Sequence, residues 1–207
     1  MSKVKVAIVG LGGIGSWLVN HINWLVNRGQ IDTSLIEFHG YDDDEVEDKN
    51  TRYQCFEPED IFDSKAAALE IRFLPVSGEH WFFGHEERIT NVGKQLGDAN
   101  LIISAVDNLK FRKALFEFCL DKEIHWFDFR SEGRAIMALT KHPSNNVEKL
   151  EMFTAGDQEE NGSCQLAADL EKGLVQLGNQ IIAQIGAQYL LNWWRDIPNP
   201  AQFIRKF

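Results

Sequence analysis

The segment that most constrains this chain is its beginning. Val4 to Val9, VKVAIV, runs straight into Gly10-Leu11-Gly12-Gly13-Ile14-Gly15-Ser16. The run is mostly apolar and rich in β-branched side chains, the pattern of a parallel strand buried on both faces. After the glycines, Trp17, Leu18, Ile22, Leu25 and Val26 recur at helical spacing, and Gly29 is placed to end that helix. Strand, glycine turn and helix in this order is the setting in which such a turn binds the phosphates of a nucleotide. Gly10 permits a tight strand exit, Gly12 lets backbone N–H groups approach a phosphate, and Gly15 lets the helix pack close to the sheet. The helix N-terminus adds a field that favours an anion. Gly10, Gly12, Gly13 and Gly15 are therefore candidate cofactor-binding residues. The same turn serves hydride-transfer enzymes and methyltransferases, and a tight turn without a ligand is the plain alternative, so it selects no chemistry.

Composition narrows the field. A chain of 207 residues with 44% hydrophobic and 25% charged residues suits a single domain, residues 1–207, and excludes wholesale disorder. With 21 Lys+Arg against 31 Asp+Glu, the net charge is −10. So acidic a surface repels phosphate backbones and anionic lipid, and neither nucleic acid nor membrane is an expected partner. A basic protein, or a nucleotide carried with its metal ion, is compatible. The three cysteines, Cys55, Cys119 and Cys164, form no C-x-x-C pair, so neither a cysteine zinc site nor a disulfide framework is expected. No stretch approaches the roughly 18 apolar residues of a membrane span, and the N-terminus does not read as a signal peptide. These features predict a soluble, cytoplasmic protein.

Further along, Leu35–Tyr41 reads as a second strand ending in the acidic run Asp42-Asp43-Asp44-Glu45. Ser64 is placed to cap a helix through Ala66, Ala67, Leu69 and Ile71. The stretch 76–92 includes a strand, Leu101–Val106 is another, and a helix opens at Asp107-Asn108 and runs to about Lys122. Strands follow at His125–Phe129 and Arg134–Thr140, then a polar loop from His142 to Gly162. Leu166 to Trp194 has helical periodicity, interrupted near Gly173 or Gly178, and Phe203–Phe207 is a short tail. This alternation predicts an α/β fold: Rossmann-like and doubly wound, with a mostly parallel sheet and an antiparallel C-terminal extension. The last helix is apolar on much of its circumference, which predicts burial on two sides, as in a homodimer. Trp193-Trp194 belongs to that core or interface. His80 and His85 have no ligand-type spacing and read as surface residues.

At the end of a second strand a carboxylate accepts hydrogen bonds from ribose hydroxyls, and Asp42 is so placed; Asp43 and Asp44 read equally as a solvated turn. Nucleotide binding of the dinucleotide type leaves Val46, Asn50, Arg52 and Gln54 unexplained. Taken with GLGGIGS at 10–16, DDDEVEDKNTRYQ at 42–54, Lys65 in DSKAAALEIR and SAVDNLKFR at 104–112, the chain resembles the ubiquitin-activating superfamily in its ThiF/MoeB/HesA branch. The four blocks cover about the first 112 residues; the C-terminal half matches loosely.

The resemblance implies ATP-dependent adenylylation of a C-terminal carboxylate on a small ubiquitin-like or sulfur-carrier protein, or a peptide, with a Gly-Gly tail. It implies MgATP as cofactor and a homodimer. By family position Asp42, with Asp44 beside it, takes the ribose side. Asn50, Gln54 and Lys65 contact phosphates, Arg52 supplies a catalytic cation, and Asp107 holds Mg²⁺ with Asn108 flanking it. Arg112 would orient Asp107 or its loop, and Cys164 is the candidate acyl-accepting thiol. Each has a plain alternative: a solvated lysine for Lys65, a helix cap for Asp107, ordinary loop positions for Asn50 and Gln54, and an inert thiol for Cys164. The chain departs from the family pattern where Tyr53 stands in the arginine position, with Arg52 one residue earlier. The N-terminal helix that donates an arginine across the dimer is not expected, since Met1 lies only nine residues before Gly10, and the zinc-binding cysteine pairs are missing. An NAD-binding oxidoreductase and a non-catalytic nucleotide-binding scaffold are the competing readings.

Overall fold

In the computed structural model, which describes residues 2–75, 78–132, 135–141, 172 and 177–207, strand and helix alternate from the start. The order is β1 (Val4–Val9), α1 (Gly15–Asn27), β2 (Ile36–Tyr41), α2 (Lys65–Arg72), β3 (Phe82–His85) and α3 (Val92–Leu96). Then come β4 (Leu101–Ser104), α4 (Leu109–Asp121), β5 (His125–Glu132), β6 (Ala135–Lys141), α5 (Gly178–Trp194) and β7 (Gln202–Lys206). The seven strands form one sheet in the order β3-β2-β1-β4-β5-β6-β7. The first five strands are parallel, and β6 and β7 add on antiparallel. This is the expected doubly wound α/β fold with its antiparallel extension.

The strand order reverses at β1. The chain leaves β1 toward β2 on one side and returns on the other as β4, which opens a crevice at the carboxyl ends of β1 and β4. Side chains alternate along β1 so that Val6 and Ile8 join one core, with Leu18 and Ile22 of α1, Leu69 of α2 and Ile182 and Leu190 of α5. Ala7 and Val9 join the other, with Leu96 of α3 and Leu115 and Phe116 of α4. Apolar burial on both faces keeps the central strands rigid and holds the crevice open between them.

Three local outcomes differ from the sequence reading. The tail after Pro200 is a strand, β7, paired with β6; its side chains are mostly exposed, so no apolar alternation announces it. The short helix α3 was hidden in a stretch too brief to show a period. Asn108, and not Asp107, caps α4: its side chain accepts from the Phe111 N–H at 2.9 Å. The described part of the last helix begins at Gly178, where the interruption was expected; the loop 142–162, Cys164 and the helical stretch before Gly178 lie outside the described residues, apart from Lys172.

Asp128 on β5 is fully buried and is gripped from two sides. Arg112 of α4 donates to one carboxylate oxygen, and Arg130 Nε donates to the other at 2.6 Å. Arg112 also donates to the Val106 carbonyl and to the Phe129 carbonyl. It therefore braces the peptide just before Asp107. Removing one partner of a buried charged cluster strands the rest without compensation. Asp128→Ala is expected to lower stability by about 3–5 kcal/mol, read as a large drop in the urea unfolding midpoint; an unchanged midpoint would contradict the bracing role.

Candidate functional site

A cavity of about 780 Å³ occupies the crevice. Its lining includes Gly10, Gly12 and Gly13; the run Asp42 to Asp44; Asn50, Gln54 and Lys65; Glu87 to Ile89; and Asp107 with Asn108. Gly15 stays outside it. A Cβ at Gly15 would overlap the Gly10 carbonyl oxygen, so this glycine serves the close approach of α1 to the turn.

The glycine turn is held in place by backbone and side-chain bonds together. Gly10 adopts φ +89°, a region that disfavours any side chain, and a Cβ there would also lie 2.9 Å from the Ala105 carbonyl oxygen. Its N–H donates to the Tyr41 carbonyl at 2.9 Å. Next, the Leu11 N–H donates to Asp42 Oδ2 at 2.6 Å, and Ser16 Oγ donates to the Gly12 carbonyl at 2.7 Å. The same hydroxyl accepts from the Cys55 N–H at 3.0 Å, which ties the turn to the loop after Asn50. The N–H groups of Gly12 and Gly13 have no acceptor among the described residues.

Asp42 uses both carboxylate oxygens: Oδ2 for Leu11 and Oδ1 for the Asp44 N–H at 3.0 Å. Burial pushes its carboxyl above the ordinary range, opposed by the charge of Lys65 and by the two N–H donors. Lys65 is buried at the first position of α2, behind the Ser64 cap, and its Nζ donates to Asp44 Oδ2 at 2.7 Å. It is therefore not the solvated lysine of the plain alternative. A ligand atom from each of Asp42, Asp43 and Asp44 falls within 4.8 Å of the others, but the cation facing this cluster is the Lys65 ammonium.

Asn50 and Gln54 are buried. Asn50 Oδ1 accepts from the Glu47 N–H at 2.9 Å and closes a capping box on the short 3-10 turn Asp48–Arg52. Gln54 lines the cavity, and its Oε1 is buried without a partner among the described residues. Arg52 departs from its assigned place: it is exposed, pairs with Asp48 at 3.2 Å, and does not line the cavity. The 3-10 turn sets residues 50 and 54 inward and carries residue 52 back over Asp48. Tyr53 lines the cavity in its stead. Asp107 lines it as well, relieved of capping by Asn108. The exposed cations Lys49, Arg88 and Lys110 also line it; nothing in their local sequence separates them from surface residues.

At the cavity wall, Tyr41 stacks on His85 with ring centroids 4.5 Å apart, and burial raises its hydroxyl to about 12. His85 Nε2 lies 2.9 Å from His39 Nδ1, and His39 Nε2 lies 3.0 Å from Glu37 Oε1. His85 is thus a half-buried member of a hydrogen-bonded chain and His80, also half-buried, faces Glu70, which corrects the surface reading of both. Burial raises the thiols of Cys55 and Cys119, the latter to about 12, so neither is a ready nucleophile. Cys164 lies outside the described residues.

The model of the ThiF family matches residues 1–207. Ubiquitin-like modifier-activating enzyme 5 of Drosophila ananassae is 30% identical over 139 residues, 59% of this chain and 33% of that protein. The same enzyme of Branchiostoma floridae is 30% identical over 137 residues, 59% of this chain and 32% of its own. The chain thus spans about a third of the length of these curated relatives. Among solved structures, E. coli MccB with ATP superposes at a TM-score of 0.73 with 16% identity, over 99% of this chain and 60% of that one. E. coli tRNA N6-threonylcarbamoyladenosine dehydratase, TcdA, in complex with AMP superposes at 0.67 with 16% identity, over 93% and 86%. At these identities the two structures show a shared fold.

Burial holds the imidazoles of His21, His39 and His85 below the ordinary histidine range. As the pH falls below about 6.5 the unfolded chain binds these protons before the fold does. Stability present above that range is therefore lost as the pH drops toward the lowered values. The thermal midpoint is expected to fall between about pH 7.5 and about pH 5.5, with a smaller fall in His39→Gln. Equal midpoints at the two pH values would refute the assignment.

Proposed function

The chain belongs to the ThiF family, and from that premise we propose that it is an ATP-dependent adenylyltransferase acting on the C-terminal carboxylate of a small protein or peptide. One observation supports this above all: a single cavity draws its lining from the glycine turn, the acidic run, the Asn50–Lys65 loop and the β4 exit. A dinucleotide site for hydride transfer leaves the Asn50–Lys65 loop unexplained.

In the proposed reaction a carboxylate oxygen of the substrate attacks the α-phosphorus of ATP. An oxygen–phosphorus bond forms to give a mixed carboxylic–phosphoric anhydride, the acyl-adenylate; the bond from the α-phosphorus to the bridging oxygen of the β-phosphate breaks, and pyrophosphate leaves with the electron pair. Each Asp42 oxygen retains a lone pair beyond its backbone bond, enough to accept from the ribose hydroxyls. The Gly12 and Gly13 N–H groups point donors at the phosphates, in the field of the α1 N-terminus. Lys65 has three donors and keeps Asp44 while offering another to a phosphate oxygen. Gln54 and Asn50 bound the phosphate side, and Lys49 and Lys110 bring positive charge in place of Arg52.

The Asp107 carboxylate is a hard oxygen donor, free of capping and facing the cavity, which fits it to hold Mg²⁺. When bound, that ion supplies charge neutralisation for the departing pyrophosphate. The substrate class follows the relatives: one is a ubiquitin-like modifier-activating enzyme, and MccB was crystallised with MccA. A Gly-Gly-tailed ubiquitin-like or sulfur-carrier protein is the proposed partner, the homodimer the proposed assembly, and the cytoplasm the proposed location. No helix among the described residues is long and apolar enough to cross a membrane.

ATP–pyrophosphate exchange in the presence of Gly-Gly-tailed candidates tests the reading. Lys65→Ala and Asp107→Ala are each expected to lower exchange at least ~100-fold, with unchanged circular dichroism. Exchange at the wild-type rate in both variants would sink the assignment. Selective NAD binding would favour the oxidoreductase, and ATP binding without exchange for any carboxylate the scaffold.

A further inference from the structure

Asn179, the second residue of α5, is 1% exposed. Neither its Nδ2 nor its Oδ1 has a hydrogen-bond partner among the described residues. The side chain lies against Gly13, and a Cβ on Gly13 would overlap the Asn179 amide nitrogen. Gly13 in turn lines the cavity, and its own N–H and that of Gly12 are without acceptors among the described residues. Two helix N-termini meet at this point. One is that of α1, beginning at Gly15, and the other that of α5, beginning at Gly178; neither has a side-chain cap. Their positive ends favour an anion at the turn between them.

A buried amide with both atoms unpaired is disfavoured, and calls for a second state in which it is paired. Asn179 does not itself line the cavity, so a ligand reaches it through Gly13. We propose that Asn179 is a positioning residue for the glycine turn, satisfied only when a phosphate group of a nucleotide is bound there. As the phosphate draws the Gly12 and Gly13 N–H groups toward it, the peptide groups of the turn reorient and pair with the Asn179 amide. The ligand thereby selects the arrangement that relieves the buried amide, and the two events are coupled. This rests on the nucleotide reading of the site given above.

The test combines calorimetric titration with MgATP and with inorganic pyrophosphate, and the ligand-free thermal midpoint, in wild type, Asn179→Leu and Asn179→Asp. Asn179→Leu replaces the unpaired amide by an apolar group of similar size. It is expected to raise the ligand-free midpoint by about 2–4 °C and to weaken MgATP binding about tenfold. Asn179→Asp keeps the shape and puts a negative charge where the two helix N-termini meet. It is expected to raise the midpoint too and to weaken binding more than Asn179→Leu. A purely structural asparagine would give a lower midpoint with wild-type affinity in both variants, and wild-type affinity in both overturns the proposal whatever the midpoint. Where the leucine disturbs the packing against Gly13 and lowers the midpoint, the aspartate variant decides by the same two readings. A wild-type protein that binds pyrophosphate but not MgATP refutes the nucleotide reading, and the coupling is then read on pyrophosphate. One that binds neither overturns both.

Discussion

The Asp42 carboxylate sets the geometry of everything around it. One oxygen takes the Leu11 N–H and the other takes the Asp44 N–H, so a single side chain locks the exit of β1 to the exit of β2. Hydrogen bonds to a charged acceptor contribute about 1.5–3 kcal/mol each when well formed, and here they act against the desolvation that raises the carboxyl. The same contacts aim the acidic run at α2, where Lys65 meets Asp44. Without this carboxylate the glycine turn and the acidic run would be joined by the strand pairing and the Gly10–Tyr41 bond, with no side chain bridging the two exits.

A second brace acts on the other side of β1. Arg112 and Arg130 converge on Asp128, and Arg112 reaches on to the Val106 carbonyl. This sets the peptide ahead of Asp107, while Asn108 takes over the capping of α4 and frees the Asp107 carboxylate for the cavity. The two braces flank the point where the strand order reverses, which is where a sheet of this kind leaves room for a ligand.

The backbone of the fold was legible because each element carries its own signal. The β-branched run at Val4–Val9, the glycines, and the Ser64 cap are local patterns, and local patterns survive in a one-dimensional reading. Elements whose stability comes from elsewhere were silent: β7 pairs through its backbone with few buried side chains, and α3 is held by its packing against α4. The residues assigned to the cavity by resemblance divide in the same way. Those anchored by a backbone bond or by burial, such as Asp42, Asn50 and Lys65, face inward. Arg52, exposed on the short turn and paired with its own neighbour, faces away.

By itself, the sequence determined the α/β class and the glycine turn with its helix, which depend on residue type and spacing along the chain; the grouping of Asp42, Asn50, Gln54, Lys65 and Asp107 followed from the resemblance to a family. Only the tertiary structure decided that Lys65 is buried against Asp44, that Arg112 braces Asp128, that His85 belongs to a half-buried imidazole pair, and that Asn179 meets Gly13. Each of these joins residues at least 16 positions apart, and in the last case α5 to the first turn of the chain. Which side chain a buried polar group meets depends on how the helices pack across the sheet, and no local pattern carries that information.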